Sequence, residues 1–128
     1  MLTNTQVKAF EQQLKQRFLA VKEDIRQALL QSDDQSYIKL SGSVHDMGEA
    51  AVADLLVDLN LAGIDRLVEE IREIDTALMR MSTGHYGRCA HCGKDIDVAR
   101  MEVNPTAKRC SACQVAHERQ AWTHNVSL

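Results

Sequence analysis

The sequence has few aromatic residues, a single proline and no long apolar run. Only five of its 128 residues are aromatic, while 45% are apolar and recur at helical spacings. This balance favours a helix-rich fold over a thick globular core. No apolar stretch approaches membrane-spanning length, and the N-terminus MLTNTQVKAF lacks the basic and apolar regions of a signal peptide. We therefore expect a cytoplasmic protein with no membrane association.

Cysteine is also scarce, and its four occurrences are confined to the last third of the chain. They follow the pattern Cys89-x2-Cys92-x17-Cys110-x2-Cys113. Two such pairs are typical of a tetrahedral four-thiolate zinc site, which a reducing cytoplasm favours over disulfides. We predict that these residues hold one structural Zn²⁺. The chain has no βαβ pattern around the cysteines, which argues against a thiol oxidoreductase. Because four thiolates leave no open position on the metal, we expect the zinc to stabilise structure and to do no chemistry itself.

The chain lacks the excess of positive charge that phosphate binding requires. Its net charge is −3, and residues 84–128 carry only six basic against four acidic side chains. This excess is small for a DNA-binding surface, so a zinc-ribbon DNA-binding protein is a weaker alternative and no sequence-specific DNA binding is expected. Negative charge is concentrated in residues 33–58, which contain six acidic side chains and one basic side chain, Lys39.

Apolar residues recur at steps of three and four in two long stretches. The first predicts a helix over residues 3–32, and the second a helix over residues 48–82, with a polar break in its seam at Asn60 and a weak point at Gly63. The Ser-, Asp- and Gly-rich segment 33–48 predicts a turn or loose connection. Two facing seams of this length predict an antiparallel coiled-coil hairpin about 45 Å long.

The rest of the chain predicts a compact metal-binding module. Ile96 and Val98 favour a short strand, and the end of the chain favours a final helix. The predicted fold class is mainly α: a long antiparallel coiled-coil hairpin, a small four-cysteine zinc-finger globule and a C-terminal helix. We assign the hairpin to residues 1–83, with an acidic tip at about 33–51, and the zinc module with its C-terminal helix to residues 84–128. We expect a monomer, because the two helices of the hairpin bury each other's apolar faces.

Acidic side chains lie where the second predicted helix begins. Asp46 and Glu49 precede Ala50 and Ala51. Acids at a helix N-terminus interact favourably with the macrodipole, which explains such residues in most proteins without a function. Carboxylates at the end of a stiff hairpin are also suited to reaching into a cleft that holds a metal centre or a basic loop.

Two runs around the cysteines carry a family resemblance: Tyr86-Gly87-x-Cys89-x2-Cys92-Gly93 and Pro105-Thr106-Ala107-x2-Cys110-x2-Cys113. The chain resembles the DksA/TraR zinc-finger family of bacterial transcription regulators over roughly residues 44–120, most specifically in the zinc module. The resemblance implies a helical hairpin, a zinc globule and a C-terminal helix. It also implies a non-enzymatic protein that binds RNA polymerase through the secondary channel and alters the stability of promoter open complexes at initiation.

The resemblance further implies which residues contact the polymerase. The family's tip motif has two acidic residues three positions apart and an alanine two positions later, which Asp46, Glu49 and Ala51 match, with Glu49 in place of the family's aspartate. Arg66 falls on a basic polymerase-contacting position of the second helix. A transcript-cleavage factor of the Gre type, which uses tip carboxylates to hold a catalytic magnesium, fits the predicted shape and charge equally well.

The resemblance also bears on small-molecule regulation. The member that gives the family its name binds the alarmone ppGpp with basic residues, whose positions, counted from the cysteines, are Glu73, Asn104 and Gln114 in this chain. None of them is cationic, and Glu73 would repel a pyrophosphate. We therefore predict that ppGpp dependence is weak or absent.

Overall fold

The computed structural model describes residues 2–56 and 63–126, and within them the fold is helical. The helices in these ranges are α1 (Asn4–Leu30), α2 (Gln35–His45), α3 (Glu49–Leu56), α4 (Asp65–Ser82), α5 (Val98–Val103) and α6 (Ser111–Val126). In these ranges the only strand-like pairing is an isolated antiparallel bridge between Arg88 and Asp95. No helix in the described part of the chain is long and apolar enough to cross a membrane. The mainly α fold class is confirmed.

The first helix, α1, begins with a capping box. The Thr3 hydroxyl accepts a hydrogen bond from the Gln6 backbone N–H at 3.1 Å, and the Gln6 side chain accepts one from the Thr3 N–H at 2.9 Å. These bonds satisfy backbone groups that helix ends leave unpaired. The predicted first helix is confirmed to within two residues at each end. Its buried stripe consists of Phe10, Leu14, Phe18, Val21, Ile25 and Leu29.

Two different helices pack against α1 along its length. Its first half runs antiparallel to α4, where the Arg17 guanidinium forms a bidentate pair with the Glu70 carboxylate. Its second half runs antiparallel to α2, whose backbone carbonyls accept hydrogen bonds from Lys22 and Arg26. The predicted antiparallel hairpin is therefore present, but the apolar face of α1 packs against two helices rather than one.

The prediction of a loose connection over residues 33–48 is wrong. Most of this segment forms α2, whose N-terminus is capped by Asp34, which accepts a hydrogen bond from the Ser36 N–H at 2.9 Å. Val44 is fully buried against the core, and Ser41 is nearly so. Burial of this narrow stripe against α1 stabilises a helix whose Ser and Gly content suggested a loop.

The prediction of one unbroken helix over residues 48–82 is also wrong. Gly63, just before α4, takes the left-handed conformation with φ of 92°, which interrupts helical geometry and which glycine adopts at little cost. The helix before this break, α3, packs on α4 and buries Val52 completely. The predicted seam residue Asn60 lies outside the described residues.

The cysteine-bearing module docks at the start of α1. The Phe10 and Tyr86 rings are in contact, with centroids 5.9 Å apart. The Arg80 guanidinium on α4 donates to the carbonyls of His85 and Arg88, at 3.0 and 2.6 Å. These contacts fix the module at the end of α1 opposite to the α1–α2 loop.

Candidate zinc centre and acidic turn

A backbone turn holds the first cysteine pair beside the second pair, which lies at the start of α6. The Cys89 N–H donates to the Lys94 carbonyl at 2.7 Å, and the Gly93 N–H donates back to the Cys89 carbonyl at 3.0 Å. The Ala90 N–H donates to the Lys108 carbonyl at 2.7 Å, which joins the first pair to the second. The positive φ of 77° at Gly93 closes the first turn.

The sulfur atoms form one compact cluster. All four Sγ atoms lie within 4.8 Å of one another, and those of Cys92 and Cys110 are 3.9 Å apart. Tetrahedral Zn–S bonds of about 2.3 Å place sulfurs about 3.8 Å apart. The predicted site for one structural Zn²⁺ is therefore confirmed in its donor set. In the described ranges no other group of at least three His, Cys, Asp or Glu side chains is gathered in this way.

The surroundings of the cluster favour thiolates at Cys89 and Cys110. Burial disfavours a charged Cys89, but backbone N–H groups of Cys92, Cys110 and His91 outweigh burial and lower its pKa to about 5. The backbone N–H of Cys113 lowers the pKa of Cys110. Hydrogen bonding to Cys110 raises the pKa of Cys113 to about 12, so this thiol retains a proton that a zinc ion would displace.

The segment between the two cysteine pairs forms a turn and the short helix α5. The predicted strand at Ile96 and Val98 is wrong, because Val98 begins this helix. Ile96 is buried, as is Met101 on α5. The buried Tyr86 hydroxyl donates to the Pro105 carbonyl at 2.7 Å. Few apolar side chains thus hold the module together apart from the metal ligands.

The predicted acidic residues lie on the connection between α2 and α3, which we call the acidic turn (Asp46–Glu49). Asp46 is exposed at the C-terminus of α2, and Glu49 is partly exposed at the start of α3. Within the described residues neither carboxylate has a hydrogen bond or an ion pair. Ala51 is exposed on α3. The structure therefore brings the three predicted contact residues together on one short segment.

The acidic turn lies beside the second half of α1. The Lys22 ammonium donates to the carbonyls of His45 and Met47, each at 3.0 Å. Lys22 precedes the end of α1 by eight residues, or about 12 Å of helix. The predicted tip at 33–51 thus comprises the α1–α2 loop, α2 and the acidic turn, and only the loop lies at the end of α1.

Carboxylates also meet where α3 contacts α4. Burial raises the pKa of Asp75 on α4, and the nearby charges of Glu49 and Asp54 on α3 raise it further. These like charges oppose the packing of α3, which the burial of Val52 favours. Sequence patterns missed this arrangement, because it depends on the break between the two helices.

Arg66 lies in a different part of the surface. It is exposed on α4 and lines a cleft of about 620 Å³ between α1, α4 and residues 104–106, together with Arg17 and Glu70. Arg66 has no ion pair among the described residues, whereas Arg17 is engaged by Glu70. No residue of the acidic turn lines this cleft.

The three positions matched to ppGpp binding lie together in a second cleft, of about 590 Å³, between α4 and the start of α6. Glu73 accepts a hydrogen bond from the Thr106 hydroxyl at 3.3 Å, and Gln114 donates to Glu118 at 3.0 Å. Asn104 accepts from the same Thr106 hydroxyl at 2.9 Å. The sequence comparison of three positions missed other cations that line this cleft: Arg72, Arg100, Lys108 and Arg109.

Comparisons with known proteins agree with the metal site. Residues 84–119 match the family described as the prokaryotic dksA/traR C4-type zinc finger. The RNA polymerase-binding transcription factor DksA of Caulobacter vibrioides is 34% identical over 111 residues, which cover 86% of this chain and 77% of that protein. The protein of the same name from Haemophilus influenzae is 30% identical over 73 residues, 57% of this chain and 50% of that protein. No solved structure matches.

Proposed function

Because the chain belongs to the DksA/TraR zinc-finger family of bacterial transcription regulators, we propose that it binds RNA polymerase through the enzyme's secondary channel. Bound there, it changes the lifetime of promoter open complexes at initiation, and it is not itself an enzyme. The observation that carries this proposal is the acidic turn, where Asp46 and Glu49 have no partner within the described residues. Unpaired carboxylates beside a helical pair leave charge available to a basic or metal-containing site on the polymerase.

The two parts of the chain have different roles in this function. Residues 1–83 supply the contacts in the channel, with Asp46, Glu49 and Ala51 as the acting residues and Arg66 on α4 as a second contact. Residues 84–128 hold the zinc and fix the direction of the helices through the Phe10–Tyr86 contact. One monomer acts on one polymerase.

The direct test measures open complexes. Purified zinc-loaded protein is added to RNA polymerase holoenzyme on a promoter with short-lived open complexes, and their decay is followed after a competitor is added. We expect the lifetime to change at least about threefold, which corresponds to about 0.7 kcal/mol. An unchanged lifetime together with cleavage of RNA in backtracked elongation complexes would instead establish a Gre-type factor. Salt-sensitive binding to naked DNA without polymerase would establish a DNA-binding protein.

We propose that ppGpp adds little to this activity. Glu73, Asn104 and Gln114 offer no cation, and the remaining cations of their cleft are accompanied by three carboxylates: Glu69, Glu73 and Glu118. Carboxylates in a phosphate site repel the ligand and compete for the guanidinium groups that would bind it. The cleft is therefore close to balanced in charge.

Reversing one charge in this cleft is expected to create a ppGpp response. In the unchanged protein, ppGpp should alter the open-complex lifetime by less than about twofold beyond its effect on polymerase alone. Glu73→Lys should raise the added effect to at least about fivefold, because it places an ammonium at the matched position. Glu69→Lys is the matched control, since it changes the net charge equally in the same cleft. A strong ppGpp effect in the unchanged protein that is lost on Arg100→Ala would contradict the prediction.

A further inference from the structure

We propose that Lys22 is a positioning residue for Asp46, a role that rests on the proposed function of the acidic turn. The Lys22 ammonium donates to the carbonyls of His45 and Met47, each at 3.0 Å. These two residues flank Asp46 on either side. A single cation on α1 therefore holds the backbone before and after the proposed acting carboxylate.

The ammonium of Lys22 is itself held in place. Its Nζ atom lies 5.1 Å from the centroid of the Phe18 ring, one turn earlier on α1, while the side chain is partly buried. A cation over an aromatic face and two carbonyl acceptors restrict a side chain that otherwise has many rotamers. Because the Lys22 ammonium is fixed on α1 by the Phe18 ring and bonded to the two carbonyls, it fixes the position of the acidic turn relative to α1.

The negative charge at the C-terminus of α2 makes a cation at position 22 favourable. Asp46 is the C-terminal cap residue of α2, where the helix dipole already concentrates negative charge, so its carboxylate is in an unfavourable position. The ammonium of Lys22 offsets the charge of the last carbonyls. In the described part of the chain no other side chain hydrogen-bonds to the backbone of residues 45–49.

The chain provides a matched comparison in Arg26, one turn further along α1. Its Nε atom donates to the Ser41 carbonyl of α2 at 3.2 Å, and its guanidinium pairs with Glu23. Arg26 therefore makes the same kind of contact between α1 and α2 as Lys22 does. In the described structure it hydrogen-bonds to neither residue beside Asp46, so its loss reports on the docking of α2.

The test compares Lys22→Met, Lys22→Arg, Arg26→Met, Asp46→Asn and the double variant of Lys22→Met with Asp46→Asn. Each zinc-loaded protein is assayed at saturating concentration for its effect on open-complex lifetime, and its affinity for holoenzyme is measured separately. Lys22→Met should reduce the effect about tenfold, while Lys22→Arg keeps most of it and Arg26→Met stays within about twofold. The double variant should lose no more than Asp46→Asn alone, because Lys22 acts through that carboxylate.

Each outcome distinguishes the positioning role from the proposed function. Full activity of Asp46→Asn would contradict the function assigned to the acidic turn. Loss in Asp46→Asn with additive loss in the double variant, or equal loss in Arg26→Met, would overturn the role of Lys22 and leave that function standing. Lys22→Gln replaces Lys22→Met if melting curves show that the latter does not fold. Unchanged activity in the folded lysine variants also overturns the inference.

Discussion

Removing the zinc ion is expected to unfold the module between Cys89 and Cys113 while α1 and its packing partners stay helical. Structural zinc contributes an apparent free energy of about 10–16 kcal/mol in small zinc modules at neutral pH, as much as the whole stability of a typical domain. The module buries few apolar side chains of its own, such as Ile96 and Met101. Without the metal, four closely spaced thiols cannot replace this contribution.

Hydrogen exchange gives the sharpest measurement of zinc loss. The amides of Cys89 and Ala90, which donate to Lys94 and Lys108, should exchange at least about 100-fold faster after chelation. Amides in the middle of α1 should keep most of their protection. Retention of protection at Cys89 and Ala90 in protein verified to be zinc-free would show that the metal is not structural.

Substitution of a single ligand provides the matched control. Cys92→Ser removes an exposed ligand and should lower both zinc content and protection of the module. His91→Ala changes the exposed side chain beside it and should retain one zinc per chain, because the four thiolates fill the tetrahedral site. Loss of zinc in His91→Ala would show that this histidine replaces one of the cysteines as a ligand.

The metal site and α1 could be predicted from the sequence because both depend on local spacing. Ligand geometry requires the paired cysteines at short separations, and only one donor set in the chain meets it. The regular apolar stripe of α1 likewise fixes one buried face for any partner helix. In both cases the signal is contained in the residues that form the feature.

The path of the chain between α1 and α4 could not be predicted in the same way. α2 is helical because Val44 and Ser41 are buried against α1, a tertiary effect that overrides the local preference of its serines and of Gly42. The second seam predicted one helix, but Gly63 has a positive φ of 92° and α3 packs on α4 as a separate helix, which apolar spacing does not indicate. The other cations that line the cleft near Glu73 lie on separate segments of the chain, which come together only in the folded protein. Spacing in the sequence therefore does not reveal them.

Asp46→Asn is expected to remove most of the effect on open complexes while leaving the fold intact. The two side chains have nearly the same shape, so the substitution removes a charge and little packing. Within the described residues the Asp46 carboxylate has no hydrogen bond or ion pair, and surface changes of this kind alter stability by less than about 0.5 kcal/mol. The lost charge lies at a helix C-terminus, where it is unfavourable, so a small increase in stability is the expected direction.

Asp33→Asn is the matched control for this prediction. Asp33 is exposed in the α1–α2 loop and has no hydrogen bond or ion pair in the described structure, so the substitution changes net charge equally at the end of α1. Asp46→Asn should shrink the change in open-complex lifetime at least about tenfold, whereas Asp33→Asn should shrink it by less than about twofold. Equal losses would indicate a general charge effect. Loss of melting stability together with activity in Asp46→Asn would assign this carboxylate to folding, because an acting group with no internal partner leaves stability unchanged when its charge is removed.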